Sequence, residues 1–564
     1  MDKLLDHYVA ALGDLRRAIR RYGEAHPEMA GALELVNDTS EDPEIERLLQ
    51  SIALLNATSA LRLEESKGAQ ARAQLEMIHP HYLRPIPSMA IAHIDASAAR
   101  VNEITTVTQL PRWTILKSGN CRFRTCQDVQ IAPIAMTAAA FVPVIDVPAT
   151  MQLPHESTSA ISITISTTAN NACFDDPPLE RLRVHISGPA ILSACLIDAL
   201  FIRQLGTCLE AGGRWTLLPA LPFDAVTPEL LPPSPGDQSD RLLTEYFTFP
   251  EAFNFIDIDL QALARHCPEK CNRLTLHIAL PNLHGTHHAT ALRQLSHQNL
   301  RLACTPIINL FDQKAIPIRL DGRNDLYPVT PDRDGSEIYT LDSVAQRSRT
   351  GDREFAPFHS ARHATESGFW LLDTDEGHAI KLVGKDMHSL PLSNGTLSIQ
   401  LTCTNGQAAE ALPHGEPLGD LVTEASTNGL PIRLLQKPTA PKMLATAPCD
   451  HRRLLTAMNA VQLAELLRLH AQQDIAGITF AGEEPATAWV QTSIGLNYMH
   501  GTMIRLCIDE AALKDRSVYV LAQVLLQYFA AQVPASRFCQ LHLVRADETE
   551  LLRTRAVQGQ ARLL

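Results

Sequence analysis

The feature that most constrains the fold is a proline-rich junction at residues 75–94, which reads LEMIHPHYLRPIPSMAIAHI. An apolar run with helical spacing ends at Pro80, and Pro85 and Pro87 follow shortly afterwards. Proline lacks the N–H that a helix interior needs, and it biases the preceding residue towards extended geometry. Apolar alternation then begins. The sequence therefore predicts helices before the junction and sheet after it, joined by a structural elbow that also contains Tyr82.

Residues 1–78 carry the apolar periodicity of amphipathic helices. Asp42 can cap the second helix, Pro43 suits its first turn, and a third helical stretch is expected from Leu61 to Ile78. Each apolar stripe predicts either a face packed within its own chain or a face offered to a partner subunit. The candidate interface residues are Leu4, Tyr8, Leu12, Leu15 and Ile19 in the first stripe and Ile45, Leu48, Leu49 and Ile52 in the second, which Leu55 continues.

After residue 88 the sequence is rich in alternating β-branched residues, which predicts strands, with one covering helix at 191–205. Proline-rich stretches at 227–240 and 437–442 favour linkers. Helix and strand patterns alternate again in the last part, which is typical of a small α/β domain. The predicted fold is α+β with several domains: a helical assembly arm at 1–78, a β-rich domain at 79–235, a second β-rich domain at 236–440 and a C-terminal α/β domain at 441–564.

Composition narrows the class of protein. The chain has 564 residues and a net charge of −13, which argues against binding to nucleic acid or to an anionic membrane. No window approaches the run of about 18 apolar residues that a membrane span needs. The N-terminus lacks the compact apolar core of a secretory signal, so the twelve cysteines are expected to be reduced. These features predict a cytoplasmic protein without membrane insertion.

A histidine- and cysteine-rich region at 266–288 is the strongest candidate for chemistry, because these residue types bind zinc. Its possible ligands are His266, Cys267, Cys271, His277, His284, His287 and His288. The cysteine pair has no second pair, the segment HGTHH lacks the glutamate of an HExxH site, and Gly285 beside Thr286 argues against a helix there. A polar loop with solvated histidines is therefore expected, and a zinc-dependent hydrolase is the alternative.

Other catalytic signatures are missing from the sequence. It contains no GxSxG elbow, no P-loop and no dinucleotide-binding fingerprint. Neighbouring acidic residues such as Asp175 and Asp176 point in different directions, so they do not indicate a glycosidase pair. The sequence therefore predicts no catalytic residue, no cofactor and no metal, and indicates a structural protein.

Motifs distributed along most of the chain carry a family resemblance. They begin with EAHPEMAGAL, SEDPEIERLLQSIALL and HPHYLRPIPSMAI. They continue in the same order with GNCRFRTCQDVQIAPI, YFTFPEAFNFIDIDL, CTPIINLFDQKAIPIRLDGRNDLYPVTPD and PIRLLQKPTAP. Together these motifs resemble the TssF family, also called VasA or ImpG, which comprises baseplate subunits of the bacterial type VI secretion system. The text after Arg453 matches that family only loosely.

The resemblance implies a non-enzymatic role in a baseplate wedge. It implies TssG as a partner, with two copies of this chain per TssG, and TssK as a protein that docks onto the wedge. It also implies that wedges surround the spike hub, VgrG, and seed polymerisation of the tail tube and sheath. The implied location is the cytoplasm, with recruitment to the cytoplasmic face of the inner membrane through the secretion apparatus. A wedge protein of another contractile injection particle is the alternative.

Overall fold

The chain divides into two units, Met1–Leu83 and Arg84–Leu564. The computed structural model describes residues 2–28, 35–36, 39–40, 42–78, 83–96, 106–148, 151–169, 172–232, 238–322, 324–348, 351–358, 368–373, 378–390, 392–416, 418–425, 427, 429–444, 460–471, 473, 475–492 and 495–561. None of the helices in these ranges combines the length and the apolar composition that crossing a bilayer requires.

Helices and strands follow one another in an order typical of an α+β protein. The α-helices are α1 (Asp2–Ala25), α2 (Pro43–Ile78), α3 (Ala190–Phe201), α4 (Gln238–Thr248), α5 (Leu260–Ala264), α6 (His287–Leu292), α7 (Ala460–Ala471) and α8 (Val518–Gln532). Short 3₁₀ helices lie at Pro250–Phe253, His297–Asn299 and Gly406–Ala409.

The strands are β1 (Leu35–Val36), β2 (Thr39–Ser40), β3 (Met89–Ile94), β4 (Thr108–Leu110), β5 (Ile115–Ser118), β6 (Cys121–Thr125), β7 (Val129–Ile131), β8 (Ile134–Val142), β9 (Ser159–Thr167), β10 (Arg181–Ile186), β11 (Gly206–Ala211), β12 (Arg214–Leu217), β13 (Phe223–Ala225), β14 (Phe255–Asp259), β15 (Arg273–Leu280) and β16 (Leu300–Arg301). They continue with β17 (Cys304–Ile308), β18 (Phe311–Lys314), β19 (Ile318–Asp321), β20 (Tyr327–Pro328), β21 (Glu337–Arg347), β22 (Arg353–Pro357), β23 (Phe369–Asp373), β24 (Ala379–Val383), β25 (Ser393–Thr404), β26 (Val422–Thr423), β27 (Ile432–Leu434), β28 (Ile478–Thr492), β29 (Gly495–Ile508), β30 (Phe538–Val544), β31 (Glu550–Arg553) and β32 (Val557–Gln558).

The first unit is a pair of antiparallel helices, α1 and α2, with a short β1–β2 hairpin between them. Asp42 caps α2 as predicted, because its Oδ1 accepts a hydrogen bond of 2.8 Å from the Glu44 N–H. The expectation of separate second and third helices is wrong, since α2 runs unbroken to Ile78. Gly68, the one glycine in the helix, lowers helix stability by only about 1 kcal/mol relative to alanine, and the helix of 36 residues continues through it.

The second unit contains sheets whose strands come from distant parts of the chain. One sheet has the order β26-β5-β6-β17-β3-β27, another β12-β11-β15-β9-β8, and a third β13-β14-β10-β16. Each of these sheets joins strands that lie before and after residue 235. The predicted boundary at 235 therefore does not separate two domains, because backbone pairing across a sheet ignores the proline-rich segment between its strands.

That proline-rich segment is itself anchored. Leu230 and Leu231 are buried, and their N–H groups donate to Glu245 Oε1 on α4 over 3.2 and 2.8 Å. The stretch 437–442 is also held in place, because Thr439 exchanges hydrogen bonds with Met89. The described parts of both stretches, which composition marks as linkers, are therefore packed against the fold.

Two further sheets are local in sequence. The eight-stranded sheet, which holds β18–β25, uses residues 311–404 alone and has its own apolar core. The C-terminal sheet β28-β29-β30-β31 contains a parallel pair, β29 and β30, which α8 connects. On α8, Val518, Leu521 and Leu525 are buried. The predicted α+β class with a helical N-terminal region is thus confirmed.

A buried amide network links two of these sheets. Asn309, which follows β17, accepts from Thr404 Oγ1 and from the Asn405 N–H at 2.7 Å each. Its Nδ2 donates to the Arg122 carbonyl at 2.6 Å and to Asn405 Oδ1 at 2.9 Å. Because both the oxygen and the nitrogen of the amide are satisfied, the network fixes the corner between the sheets without an orphaned polar group.

Candidate functional site

The helical pair α1–α2 carries the predicted interface residues, and the structure sorts them into two groups. The Arg16–Glu46 ion pair at 2.8 Å and a hydrogen bond between His7 Nε2 and Glu64 Oε2 at 2.9 Å bridge the helices. Seven of the candidates are half-buried: Leu4, Tyr8, Leu12, Leu15, Ile19, Ile45 and Leu49. Such residues stabilise the helical pair, which agrees with the expectation that an apolar face can pack within its own chain.

The remaining candidates, Leu48 and Ile52, are exposed on α2. Leu48 is 60% exposed, Ile52 37% and Leu55 68%. Their spacing of four and three residues places them on one helix face, where they form a continuous apolar stripe. We call Leu48, Ile52 and Leu55 the α2 stripe. Contiguous apolar surface of this kind marks interaction sites in soluble proteins.

Exposed apolar residues on α1 were missed by the sequence reasoning. Leu5 is 60% exposed and Val9 62% exposed, four residues apart on the same face. The signal was present in the doublets Leu4–Leu5 and Tyr8–Val9, which put apolar side chains on two faces of one helix. A helix with two apolar faces has more surface to cover than one partner helix can bury.

A second exposed apolar patch lies on the long hairpin β28–β29. Trp489 and Tyr498 are direct cross-strand partners, and their rings meet edge to face at 5.4 Å. Both rings are exposed, as is Leu496 nearby on β29. Tryptophan and tyrosine are enriched at the centres of protein interfaces, so this pair is a second candidate contact surface.

The predicted elbow is described only in part, because Pro80 and Tyr82 lie outside the described residues. Pro85 is half-buried and Pro87 is buried. Between them, Ile86 forms a β-bridge with Lys442, in which the Ile86 N–H donates to the Lys442 carbonyl at 2.8 Å. The C-terminal half of the junction is thus fixed to the segment at 437–442.

The histidine- and cysteine-rich region does not form the cluster that a hydrolase would need. His277 lies on β15, where it contacts Ser162 Oγ at 2.9 Å and Glu210 Oε2 at 3.1 Å and stacks on Trp215. Cys271 is buried, whereas His284 is exposed. In the described ranges, the one group of three such side chains that converges combines only two residues of the region with a cysteine from α3.

The expectation of a solvated loop at HGTHH is wrong. Thr286 caps the short helix α6, and its side chain accepts from the Ala289 N–H at 3.3 Å. His287 and His288 form the first turn of that helix, and His288 is buried. Gly285 has φ = 76° and precedes the cap, so its low helix propensity does not oppose α6.

A cavity of about 660 Å³ opens between β10, β14 and neighbouring loops. Two arginines of its lining are paired with carboxylates of the same chain. Arg183 forms a bidentate pair with Asp257 at 2.8 and 2.9 Å, and Arg112 pairs with Glu229 at 3.0 Å. Both arginines are therefore committed to partners within the chain, which reduces the positive charge they offer to a ligand.

Taken together, the geometry defines a multidomain α+β protein that presents exposed apolar surfaces on a helical pair and on a β-hairpin. This is the class of a subunit built for assembly. A model of the family T6SS_TssF, described as "Type VI secretion system, TssF", matches residues 1–561. The type VI secretion system component TssF1 of Pseudomonas aeruginosa is 24% identical over 99% of each chain.

A solved structure shows the same fold. A chain from the cryo-electron microscopy structure of the type VI secretion system TssK-TssF-TssG baseplate subcomplex superposes with a TM-score of 0.69 at 22% identity. The match covers 92% of this chain and 99% of that one. A chain from the baseplate complex of the type VI secretion system gives a TM-score of 0.48 at 19% identity, over 98% and 99% of the two chains.

The chain belongs to the TssF family of the type VI secretion system. This confirms the resemblance that the colinear motifs carry. The match extends through the region after Arg453, where the motif similarity is weakest.

Proposed function

We propose that this TssF subunit is a structural wedge component of a type VI secretion baseplate that binds TssG and TssK. The observation that carries the proposal is the fold match to a chain of the TssK-TssF-TssG subcomplex, which covers 99% of that chain. The family match over residues 1–561 supports the same assignment. An assembly role also accounts for the apolar side chains that the fold leaves exposed on α1 and α2.

Co-purification tests this proposal. The full chain is co-expressed with TssG and TssK from the same organism, and a tag on TssG is used to isolate the complex. We expect this chain to elute with TssG in size-exclusion chromatography at high salt, because apolar burial is insensitive to ionic screening. A folded chain that elutes separately from TssG under these conditions contradicts the wedge assignment.

The finer features of the assembly are part of the proposal. They are two copies of this chain per TssG, contact with the spike hub VgrG, seeding of the tube and sheath, and docking at the cytoplasmic face of the inner membrane. Native mass spectrometry of the purified wedge tests the copy number, because the chain mass of 62.0 kDa separates one copy from two. A mass that fits a single copy refutes that stoichiometry and leaves the wedge assignment standing.

The proline-rich junction is proposed to act as a stiff elbow for the helical arm. Support comes from Pro85 and Pro87, which flank the bridge between Ile86 and Lys442. Proline restricts the backbone of folded and unfolded chains alike, and each replacement by glycine releases about 0.4–1 kcal/mol of that restriction. Pro85→Gly with Pro87→Gly is expected to lower effector secretion while far-ultraviolet circular dichroism stays unchanged.

The matched control for the elbow is Pro148→Gly with Pro154→Gly, which changes two exposed loop prolines elsewhere in the chain. We expect this control to secrete normally. Normal secretion by the Pro85 and Pro87 variant contradicts the elbow proposal.

A non-enzymatic role is also proposed. It is supported by the family, by the ion pairs that commit Arg112 and Arg183 in the 660 Å³ cavity, and by the dispersion of the 266–288 residues over separate elements. His277 is committed to Ser162 and Glu210, and His284 lies on the surface. This arrangement does not favour the alternative of a zinc-dependent hydrolase that uses the whole region.

A further inference from the structure

Three side chains of metal-binding type converge inside the second unit, away from the surfaces described above. Cys195 lies on α3, and His287 and His288 open α6. One donor atom from each of the three lies within 4.8 Å of the other two. The rings of His287 and His288 are 3.9 Å apart. The contact of α3 with α6 brings these residues together across 92 positions of the sequence.

The local structure explains why the donors converge. The helix α3 is buried along most of its length, so Cys195 points into packed surroundings. The cap at Thr286 fixes the first turn of α6 and therefore the positions of both histidines. A cavity of about 10 Å³ adjoins all three residues. This volume is close to the minimum for one water molecule, so it suits a single small ion.

The donor set matches zinc. One thiolate and two imidazoles are typical zinc ligands, with Zn–S near 2.3 Å and Zn–N near 2.0–2.1 Å in tetrahedral geometry. Tetrahedral angles then place the donor atoms about 3.3–3.6 Å apart. The donor atoms here lie within 4.8 Å of one another, so side-chain rotations that bring them about 1 Å closer give the spacing of a tetrahedral zinc site.

A carboxylate stands beside the donors. Glu510 Oε1 lies 3.9 Å from His288 Nε2, and Glu510 is held by Arg203 and by Arg545, whose Nε donates to Glu510 Oε2 at 2.9 Å. Arg203 Nη2 also donates to His288 Nε2 at 3.0 Å. Metal binding at His288 therefore replaces this hydrogen bond, while Arg203 keeps its ion pair with Glu510.

The other charged groups around the cavity belong to several elements. Asp198 lies on α3, where its carboxylate accepts hydrogen bonds from the Val518 and Tyr519 N–H groups of α8. Lys514 and Arg516 line the cavity from the segment before α8.

We propose that Cys195, His287 and His288 bind one zinc ion in a site that ties α3 to α6. Binding forms a Zn–S bond and releases the thiol proton of Cys195 to solvent, so no redox step is involved.

Zinc retention tests the site in the full chain without an affinity tag. Chelator-treated protein receives zinc chloride, is desalted, and is analysed by mass spectrometry for metal. We expect about one zinc per chain in the wild type and less than about a fifth of that in Cys195→Ser and in His287→Gln. Cys208→Ser, at another buried cysteine, and His284→Gln, in the same loop, are the matched controls and should retain zinc normally.

Cobalt reports which side chains bind. Co²⁺ bound to the wild type should show the ultraviolet charge-transfer band of a thiolate ligand, and this band should disappear in Cys195→Ser. The proposal is overturned if the wild type retains no zinc, or if both ligand variants retain as much zinc as the wild type. It is also overturned if cobalt binds to the wild type without a thiolate band. If Cys195→Ser fails to fold by circular dichroism, His287→Gln at a half-buried position decides the question.

Discussion

The α2 stripe gives the sharpest prediction about assembly. Replacing Leu48 and Ile52 by glutamate puts two carboxylates on the surface that we propose for partner contact. Full burial of a leucine or isoleucine side chain contributes about 1.5–3 kcal/mol. Leu48 is 60% and Ile52 37% exposed, so a partner that covers both buries about one further complete side chain. The loss is then about 1.5–3 kcal/mol, or about 10- to 150-fold in affinity for that partner.

The same structure predicts that the arm itself survives this change. Surface substitutions away from buried features usually alter stability by about 0.5 kcal/mol or less. By contrast, Leu12→Glu with Leu15→Glu changes half-buried residues of α1 and should cost about 2–5 kcal/mol of arm stability. The two double variants therefore separate loss of a contact surface from loss of a fold.

The assay is a titration of purified chain against immobilised TssG, with circular dichroism as the folding check. The matched control is Gln50→Glu with Asn56→Glu, which adds the same charge at exposed polar positions of α2. We expect wild-type affinity for the control and a drop of at least about tenfold for Leu48→Glu with Ile52→Glu. A folded stripe variant that binds TssG as tightly as the control refutes the reasoning.

Two predictions concern stability. Asp198→Ala removes the buried acceptor of Ser517 Oγ and of the Tyr519 N–H. Each donor left unsatisfied lowers the free energy of unfolding by about 1–3 kcal/mol. Urea unfolding monitored by circular dichroism should detect this loss. Burial raises the pKa of Glu245 to about 7, so between pH 4.5 and 7 the folded chain binds more protons than the unfolded chain. This group therefore makes stability fall as pH rises through that window, by about 3 kcal/mol at most, and Glu245→Gln should remove that share of the slope in pH-dependent unfolding curves.

Much of the secondary structure could be predicted because its signals are local. The cap at Asp42, the strand at Met89–Ile94 and the buried face of α8 each depend on residues within a few positions of one another. Helix ends were harder to predict, as α2 shows: the sequence suggested a new helical stretch from Leu61, whereas one helix runs unbroken from Pro43 to Ile78.

Domain limits could not be predicted from composition. The proline-rich segment at 227–240 suggested a linker, yet Leu230 and Leu231 are buried and their N–H groups donate to Glu245. The pairing of β14 with β10 and of β15 with β9 joins the two sides of that segment. Strand pairing is a long-range backbone interaction, and residue composition carries little information about which strands will meet.

By itself, the sequence determined the family, through motifs that keep their order along the chain, and the change from helix to strand at the proline-rich junction. Each motif, like the junction, consists of residues that are neighbours in the sequence. Only the tertiary structure decided that Leu49 is half-buried while Leu48 is exposed, and that Cys195 meets His287 and His288. The physical reason is that periodicity fixes which residues share a face, whereas burial and convergence depend on which distant surface packs against that face.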